Sequence, residues 1–276
     1  MTINNHWKVY WPWSGISLIA LVCWSAAFVP TASAQQQANN EYQVGAVVWT
    51  QTSGEKAALA YQAFVLARMR LDRDLRLRHA RKRAIIVDVD ETIMDNSRFQ
   101  AMLVQTNQTY SGKLWTDWVN RAEAIALPGA VEFLRYANSR GVRVFYITNR
   151  KEIEKAGTAT NLTKLGFPDV NDETLLVRTD PNSSSKEPRR QTVSAKYYVV
   201  LLMGDNLNDF ADVFEKGKTV ASRLSAVEQN KTQFGTRFIV LPNPMYGDWE
   251  NAIYDYNNKL TEAEKNAKRK GALKGY

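Results

Sequence analysis

Cysteine and histidine are nearly absent from this sequence: its 276 residues include one cysteine, Cys23, and two histidines, His6 and His79. Cys23 and His6 fall in the first 34 residues, which read as a removable leader, so a mature chain would keep only His79. Such a chain has no disulfide, no cysteine nucleophile and no thiolate zinc site. It cannot assemble a multi-histidine metal centre, and a Ser-His-Asp triad would have to run through His79. Glycine (14) and proline (8) are too scarce for a collagen-like or low-complexity chain, while 45% hydrophobic and 23% charged residues describe a chain that folds. The length suits one α/β domain with a leader or a small second lobe, not several full domains. Catalysis is left to carboxylates, hydroxyls, lysine, arginine and, at most, an oxygen-liganded metal.

The leader has three parts. Residues 1–15 carry one lysine and no acid, residues 16–29 are apolar, and Thr31-Ala32-Ser33-Ala34 ends in a small-x-small pattern. This predicts a signal peptide over 1–34, cleaved after Ala34, because the apolar run is shorter than the ~20 residues of a membrane span; the alternative weighed is an uncleaved membrane anchor. Ala20-Leu21-Val22 lacks the small residue expected beside a lipidated cysteine, so neither a lipid nor any other stable membrane anchor is expected. Cleavage would remove Lys8 and no acid, taking the net charge from +8 to +7. The expected compartment is the periplasm or the cell exterior.

Residues 35–40 are polar and read as a flexible leader to the domain, 35–276. From 54 to about 78, Phe64, Ala67, Leu71 and Leu75 recur at helical spacing while Arg68, Arg70, Arg73, Arg76, Arg78, Arg81 and Arg83 crowd the remainder. The reading preferred for this basic helix is a solvated face, with a polyanion or membrane surface as the sharper alternative. His79 is expected to be a surface or cap residue. A second basic stretch forms the tail, about 259–276.

Short apolar runs at 84–87, 142–147, 175–177, 197–203 and 237–240 predict strands, and helical patterns at 128–139, 151–165, 186–195 and 207–215 fall between them. This alternation predicts a doubly wound, mainly parallel sheet with helices on both faces. Ligands of such sheets sit beyond the carboxyl ends of the strands. The residues expected there are Asp88-Val89-Asp90-Glu91-Thr92, Thr148-Asn149-Arg150 and Gly204-Asp205-Asn206-Leu207-Asn208-Asp209. Residues 97–127, with Trp115 and Trp118, read as a small helical cap insert over that crevice.

Asp88 and Asp90 stand two apart, sharing a face on an extended strand unless a turn aims them separately. A divalent cation is the usual way to keep close carboxylates ionised, and Asp205 adds an oxygen ligand, a set that suits Mg²⁺. The reaction that fits is phosphoryl transfer with in-line attack by an aspartate. Thr148 offers a hydroxyl and an amide for phosphoryl oxygens, and Lys186 a cation.

The stretch from Asp88 to Ser97 resembles the first motif of the haloacid dehalogenase (HAD) superfamily in its class C acid phosphatase form. Tyr146-Ile147-Thr148-Asn149-Arg150 resembles the second motif, Ser184-Ser185-Lys186-Glu187 the lysine motif, and Gly204 to Phe210 the acidic fourth motif. Leu241 to Gly247 extends the similarity, which covers about 40–258. The resemblance implies that Asp88 is the nucleophile and that Asp90 protonates the leaving alcohol and then activates water. It implies that Thr148 and Lys186 hold the phosphoryl group, with Asn149 alongside. Mg²⁺ would be bound by Asp88, the Asp90 backbone carbonyl and Asp205, with Asp209 supporting. Asp95 and Asn96 are expected behind these residues, and Trp115 and Tyr246 are expected to sandwich a nucleotide base.

Many members of that family are lipoproteins, and the surroundings of Cys23 depart from that pattern. The expected partner is a small phosphomonoester or nucleotide rather than a nucleic acid polymer. The alternatives weighed are a phosphotransferase on the same fold and a non-catalytic binding or storage protein, against which Asp88 is intact.

Overall fold

Each apolar run becomes one strand of a parallel sheet, because alternate side chains can be buried on both faces only if helices cover both. The computed structural model describes residues 8–10 and 40–276; the apolar run at 16–29 and the cleavage pattern before Ala34 lie outside the described residues. Helices α1 (Glu41–Thr52) and α2 (Gly54–Asp74) precede β1 (Arg83–Val87). An antiparallel ribbon of β2 (Met94–Asp95) and β3 (Ile125–Ala126) then brackets α3 (Ser97–Gln105) and α4 (Gly112–Arg121). The chain continues through α5 (Ala130–Ser139), β4 (Arg143–Lys151), α6 (Lys155–Leu165), β5 (Leu175–Arg178), α7 (Glu187–Lys196) and β6 (Tyr198–Gly204). It ends with α8 (Val213–Lys216), α9 (Val220–Gln229), β7 (Phe238–Val240), α10 (Asp248–Ile253) and α11 (Glu262–Gly271).

The strand order is β5-β4-β1-β6-β7, with all neighbours parallel. Connections leave the central β1 in both directions, which opens a crevice at the carboxyl ends of β1, β4 and β6. Ile85 and Val87 face a core layer shared with Phe64, Ala67 and Leu71 of α2 and Phe133 and Leu134 of α5. Ala84 and Ile86 face the other layer, with Val193, Phe214 and Ala226. Each fully buried side chain of Leu size contributes ~1.5–3 kcal/mol. Among the described residues, no helix is long and apolar enough to cross a membrane.

The structure departs from the sequence reading at several places. Helix α1 was not expected: its buried side chains include Gln43 and Thr50, so it presents no clean apolar stripe. Helix α9 was likewise not read. Helix α2 begins where Ser53 accepts a hydrogen bond from the Lys56 amide at 3.1 Å, but it stops at Asp74 rather than near Arg78. The Asp74 carboxylate there binds Arg83 at 2.6 Å and His79 at 3.1 Å, and the His79 ring stacks on Tyr198 at 3.8 Å. His79 is therefore a packed residue, not a surface or cap residue. Strand β4 runs on to Lys151, so Thr148-Asn149-Arg150 lies within the strand rather than after it. The expected helix over 207–215 is broken into a 3₁₀ turn, Leu207–Asp209, and α8, because the Asn206 and Asp209 side chains cap each other's backbone amides reciprocally.

Candidate active site

The loop after β1 separates the two aspartates of the first motif. The Asp88 amide still donates to Met203 at 2.9 Å, adding one residue to the sheet pairing. The Val89 carbonyl then accepts from both Ile93 (3.1 Å) and Met94 (2.9 Å), which curls the chain back, and Glu91 takes a left-handed φ of +54°. That conformation costs a non-glycine residue ~1–2 kcal/mol. The Glu91 carboxylate offsets it by accepting the Asn96 amide at 2.8 Å. Burial, with Asp90 and Asp205 nearby, drives the Glu91 carboxyl well above its ordinary pKa. The outcome is that Asp88 and Asp90 aim at different partners.

Asp88 turns towards the loops after β6 and before α7. Its carboxylate, with those of Asp205 and Asp209, forms a group whose oxygens lie within 4.8 Å of one another. Asp209 comes this close because residue 204 is glycine: a Cβ there would lie 2.4 Å from the Asp209 side chain. Thr92 donates to Asp88 at 3.3 Å or Asp205 at 3.4 Å, and Asn243 donates to Asp205 at 2.8 Å. Lys186, held by the Ser183–Ser185 turn at the start of α7, binds Asp209 at 2.7 Å and also Asp88.

One lysine does not balance three carboxylates. Burial, opposed by Lys186 and reinforced by Asp209 and Asp90, pushes the Asp88 carboxyl up to about 7. Burial and the charges of Asp209 and Asp88 push Asp205 well above the carboxylate range. Burial acts to lower the Lys186 pKa, yet the Asp209 and Asp88 carboxylates outweigh it and hold the ammonium firmly charged. A buried excess of hard oxygen donors fits a hard divalent cation.

Asp90 belongs to a separate network. Arg150, 2% exposed, grips its carboxylate through Nη2 at 2.7 Å and Nε at 3.1 Å. Asn96 donates to Asp90 at 2.9 Å and accepts from Trp118 Nε1 at 2.9 Å, so Trp118 anchors the insert from beneath. Thr148 is fully buried, and its hydroxyl braces Asp90 at 3.4 Å and the Arg150 amide at 3.2 Å rather than lining the cavity. Asn149 is exposed and accepts from Arg189 at 2.7 Å. Burial lowers the Arg189 pKa to about 10. Asp95 ties the insert to α2 through Lys56 at 3.0 Å.

A cavity of about 860 Å³ opens over these groups, lined by Asp88, Asp90, Asn149, Lys186, Asp205 and Asp209. Trp115 and Tyr246 lie on its walls, as the sequence reading expected of residues around one crevice. Trp115 meets Phe99 edge-on at 5.1 Å and Arg150 lies 5.5 Å from its ring centre, so one part of the ring is already engaged. Sequence reasoning gave no role to Arg150, Arg189 or Asn243. Arg150 had one signal: it closes the second motif, and a half-buried carboxylate such as Asp90 is stabilised by a nearby cation.

A family model of the HAD superfamily, subfamily IIIB (acid phosphatase), matches residues 14–249. A solved class C acid phosphatase from Bacillus anthracis with tungstate bound is similar at a TM-score of 0.83 and 46% identity, over 86% of this chain and 99% of that one. A second structure of the class C acid phosphatase from Bacillus anthracis gives 0.81 and 44%, over 86% and 98%. Curated relatives include acid phosphatase 1 of Solanum lycopersicum, 26% identical over 165 residues, which are 58% of this chain and 57% of that protein. The stem 28 kDa glycoprotein of Glycine max is 24% identical over 133 residues, 46% of this chain and 52% of that protein. The chain spans about half the length of the curated relatives it matches.

Proposed function

This chain belongs to subfamily IIIB of the HAD superfamily, the acid phosphatases, and from that premise we propose that it is an exported, Mg²⁺-dependent phosphomonoesterase acting through a phosphoaspartate on Asp88. The observation that carries this reading is the division of labour between two aspartates only two residues apart. Asp88 faces Lys186 and the acidic group, and Asp90 is held away from them by Arg150.

In the first step an Asp88 oxygen attacks phosphorus, the ester P–O bond breaks, and Asp90 gives its proton to the departing alkoxide. In the second, Asp90 takes a proton from water as that water's oxygen attacks phosphorus. The acyl phosphate P–O bond breaks, and phosphate leaves with Asp88 restored as a carboxylate. Lys186 opposes the burial that favours a protonated Asp88 and, with Asn149, steadies phosphoryl oxygens. Thr148 braces Asp90 from behind. Asp88, Asp205 and the Asp90 main-chain carbonyl would hold Mg²⁺, with Asp209 supporting, and the bound ion supplies positive charge that offsets carboxylate–phosphate repulsion.

The cavity walls favour substrates with a planar group. Trp115 and Tyr246 would sandwich a base, so 5′-nucleotides are the substrate class, with little preference among bases because stacking tolerates any ring. Export rests on the pattern over 1–34. The deciding experiment is hydrolysis of a panel of phosphomonoesters by the purified chain, with and without chelator. Turnover of several esters that stops on chelation and returns with Mg²⁺ supports the reading; turnover indifferent to chelator, or none on any ester, overturns it.

A further inference from the structure

The arginines of α2 take no part in the catalytic crevice, and the fold brings two of them into a second cavity. It lies at the amino ends of β1, β6 and β7, the opposite end of the strands from Asp88, and has a volume of about 430 Å³. Four arginines line it: Arg70 and Arg73 from α2, Arg81 from the approach to β1, and Arg237 from the approach to β7. The one carboxylate on its wall, Asp74, is already engaged by Arg83 at 2.6 Å and His79 at 3.1 Å.

Two of the four arginines are braced by neutral groups. Arg70 donates to the Gly235 carbonyl at 2.6 Å and Arg81 to the Ser194 carbonyl, which fixes their direction without neutralising them. Among the described residues, no side-chain hydrogen bond or ion pair engages Arg73 or Arg237. The floor is apolar and irregular. The pairing of β6 with β1 slips by one residue between Ala84 and Ile85, and β7 pairs with β6 only from Leu202 onward, so Val199 and Val200 border the cavity.

Like charges gathered over an apolar floor repel one another, and a polar anion that accepts from several guanidinium forks relieves that repulsion. We propose that this cavity is a binding site for a multiply charged phosphate oxyanion, separate from the crevice that holds Asp88. The phosphate can be carried by a soluble polyphosphate compound or by a lipid headgroup, since the guanidinium chemistry is common to both. The inference is independent of how Asp88 acts.

The test is calorimetric titration of imidodiphosphate, which resists hydrolysis, into the full chain and into R73A/R237A. Any binding in the crevice is common to both proteins and cancels in the comparison. The intact chain is expected to show a second site, weakened at least about tenfold in R73A/R237A, while kcat/KM on p-nitrophenyl phosphate is unchanged. Arg73 and Arg237 are exposed, so the double variant should melt as the parent does; if it melts early, R73Q/R237Q serves the same comparison. Sedimentation with phosphatidic acid vesicles forms the second arm. Loss of vesicle binding in the variant, without a second imidodiphosphate site in the parent, assigns the cavity to a lipid headgroup. Identical imidodiphosphate titrations together with identical vesicle binding for parent and variant overturn the proposal.

Discussion

The two ends of one parallel sheet carry opposite and differently resolved charge. At the carboxyl ends, Asp88, Asp205 and Asp209 crowd around Lys186, and negative charge remains in excess even after that lysine is counted. At the amino ends, the buried aspartate is saturated: Asp74 is shared by Arg83 and His79, and the excess there is positive, in arginines open to solvent. A buried charge with its partners in place is architecture, because removing one partner strands the other. Charge left without a partner side chain, in the acidic group or in the solvent-facing arginines, is poised for a ligand.

The sharpest way to break this comparison is one substitution at each end. Asp88→Asn should lower kcat by at least ~10³-fold yet leave the urea midpoint equal to or above that of the parent, because it relieves buried repulsion. Near-normal turnover would remove Asp88 from the chemistry. Asp74→Ala should do the reverse, costing about 2–4 kcal/mol in urea unfolding while kcat/KM per folded molecule stays at the parent value. If Asp74→Ala proved neutral, the amino-end network would not be structural.

Smaller effects sharpen the picture at the crevice mouth. Trp115→Ala and Tyr246→Ala should each reduce kcat/KM roughly 5- to 150-fold on a 5′-nucleotide, from stacking worth ~1–3 kcal/mol. Glycerol phosphate, which has no ring, should be spared. Equal losses on both substrates would make Trp115 a packing residue of the insert, consistent with its contact to Phe99.

The last effect is on stability and depends on pH. The folded Asp88 carboxyl is raised from its ordinary 3.8 to about 7, so between those values the metal-free folded protein holds a proton that the unfolded chain releases. Stability from this group is therefore greatest below about pH 4 and declines as pH rises through about 7. Mg²⁺, which requires the ionised carboxylate, should raise the melting temperature by more at about pH 8 than at about pH 5. Equal or reversed increments would mean that the cation does not compete with protons at Asp88.

The motif loops were legible in the sequence because a parallel sheet converts chain order into position. Asp88, Lys186 and Asp205 each sit at the mouth of an element whose apolar run or capping pattern marks its boundary, so their convergence on one cavity could be read in advance. Arg150 was not legible as a partner of Asp90: an arginine after a strand ordinarily reads as solvated, and only the three-dimensional turn at Glu91 sends Asp90 towards it. Thr148 was placed after its strand, whereas β4 continues through it and buries it. Helix α1 was missed because Gln43 and Thr50 occupy buried positions where periodicity looks for apolar residues; the Gln43 amide is satisfied by the Met245 carbonyl at 3.3 Å. The arginine-lined cavity was invisible for a related reason, since Arg237 is far in sequence from Arg70 and Arg73, and charge patterning along one helix cannot report it.

The most direct test of the central claim is to ask where the phosphoryl group goes. Asp90→Asn should slow breakdown of the intermediate more than its formation from an aryl phosphate, whose leaving oxygen needs little protonation. Rapid acid quenching of that variant during turnover of a phosphorus-labelled aryl phosphate, followed by peptide mapping, locates the label. The expected result is label on the peptide containing Asp88, released by hydroxylamine as an acyl phosphate is, and absent when Asp88→Asn is added. Label on another residue, or turnover with no covalent label at any quench time, would contradict the assignment of Asp88 as nucleophile and Asp90 as the group that activates water.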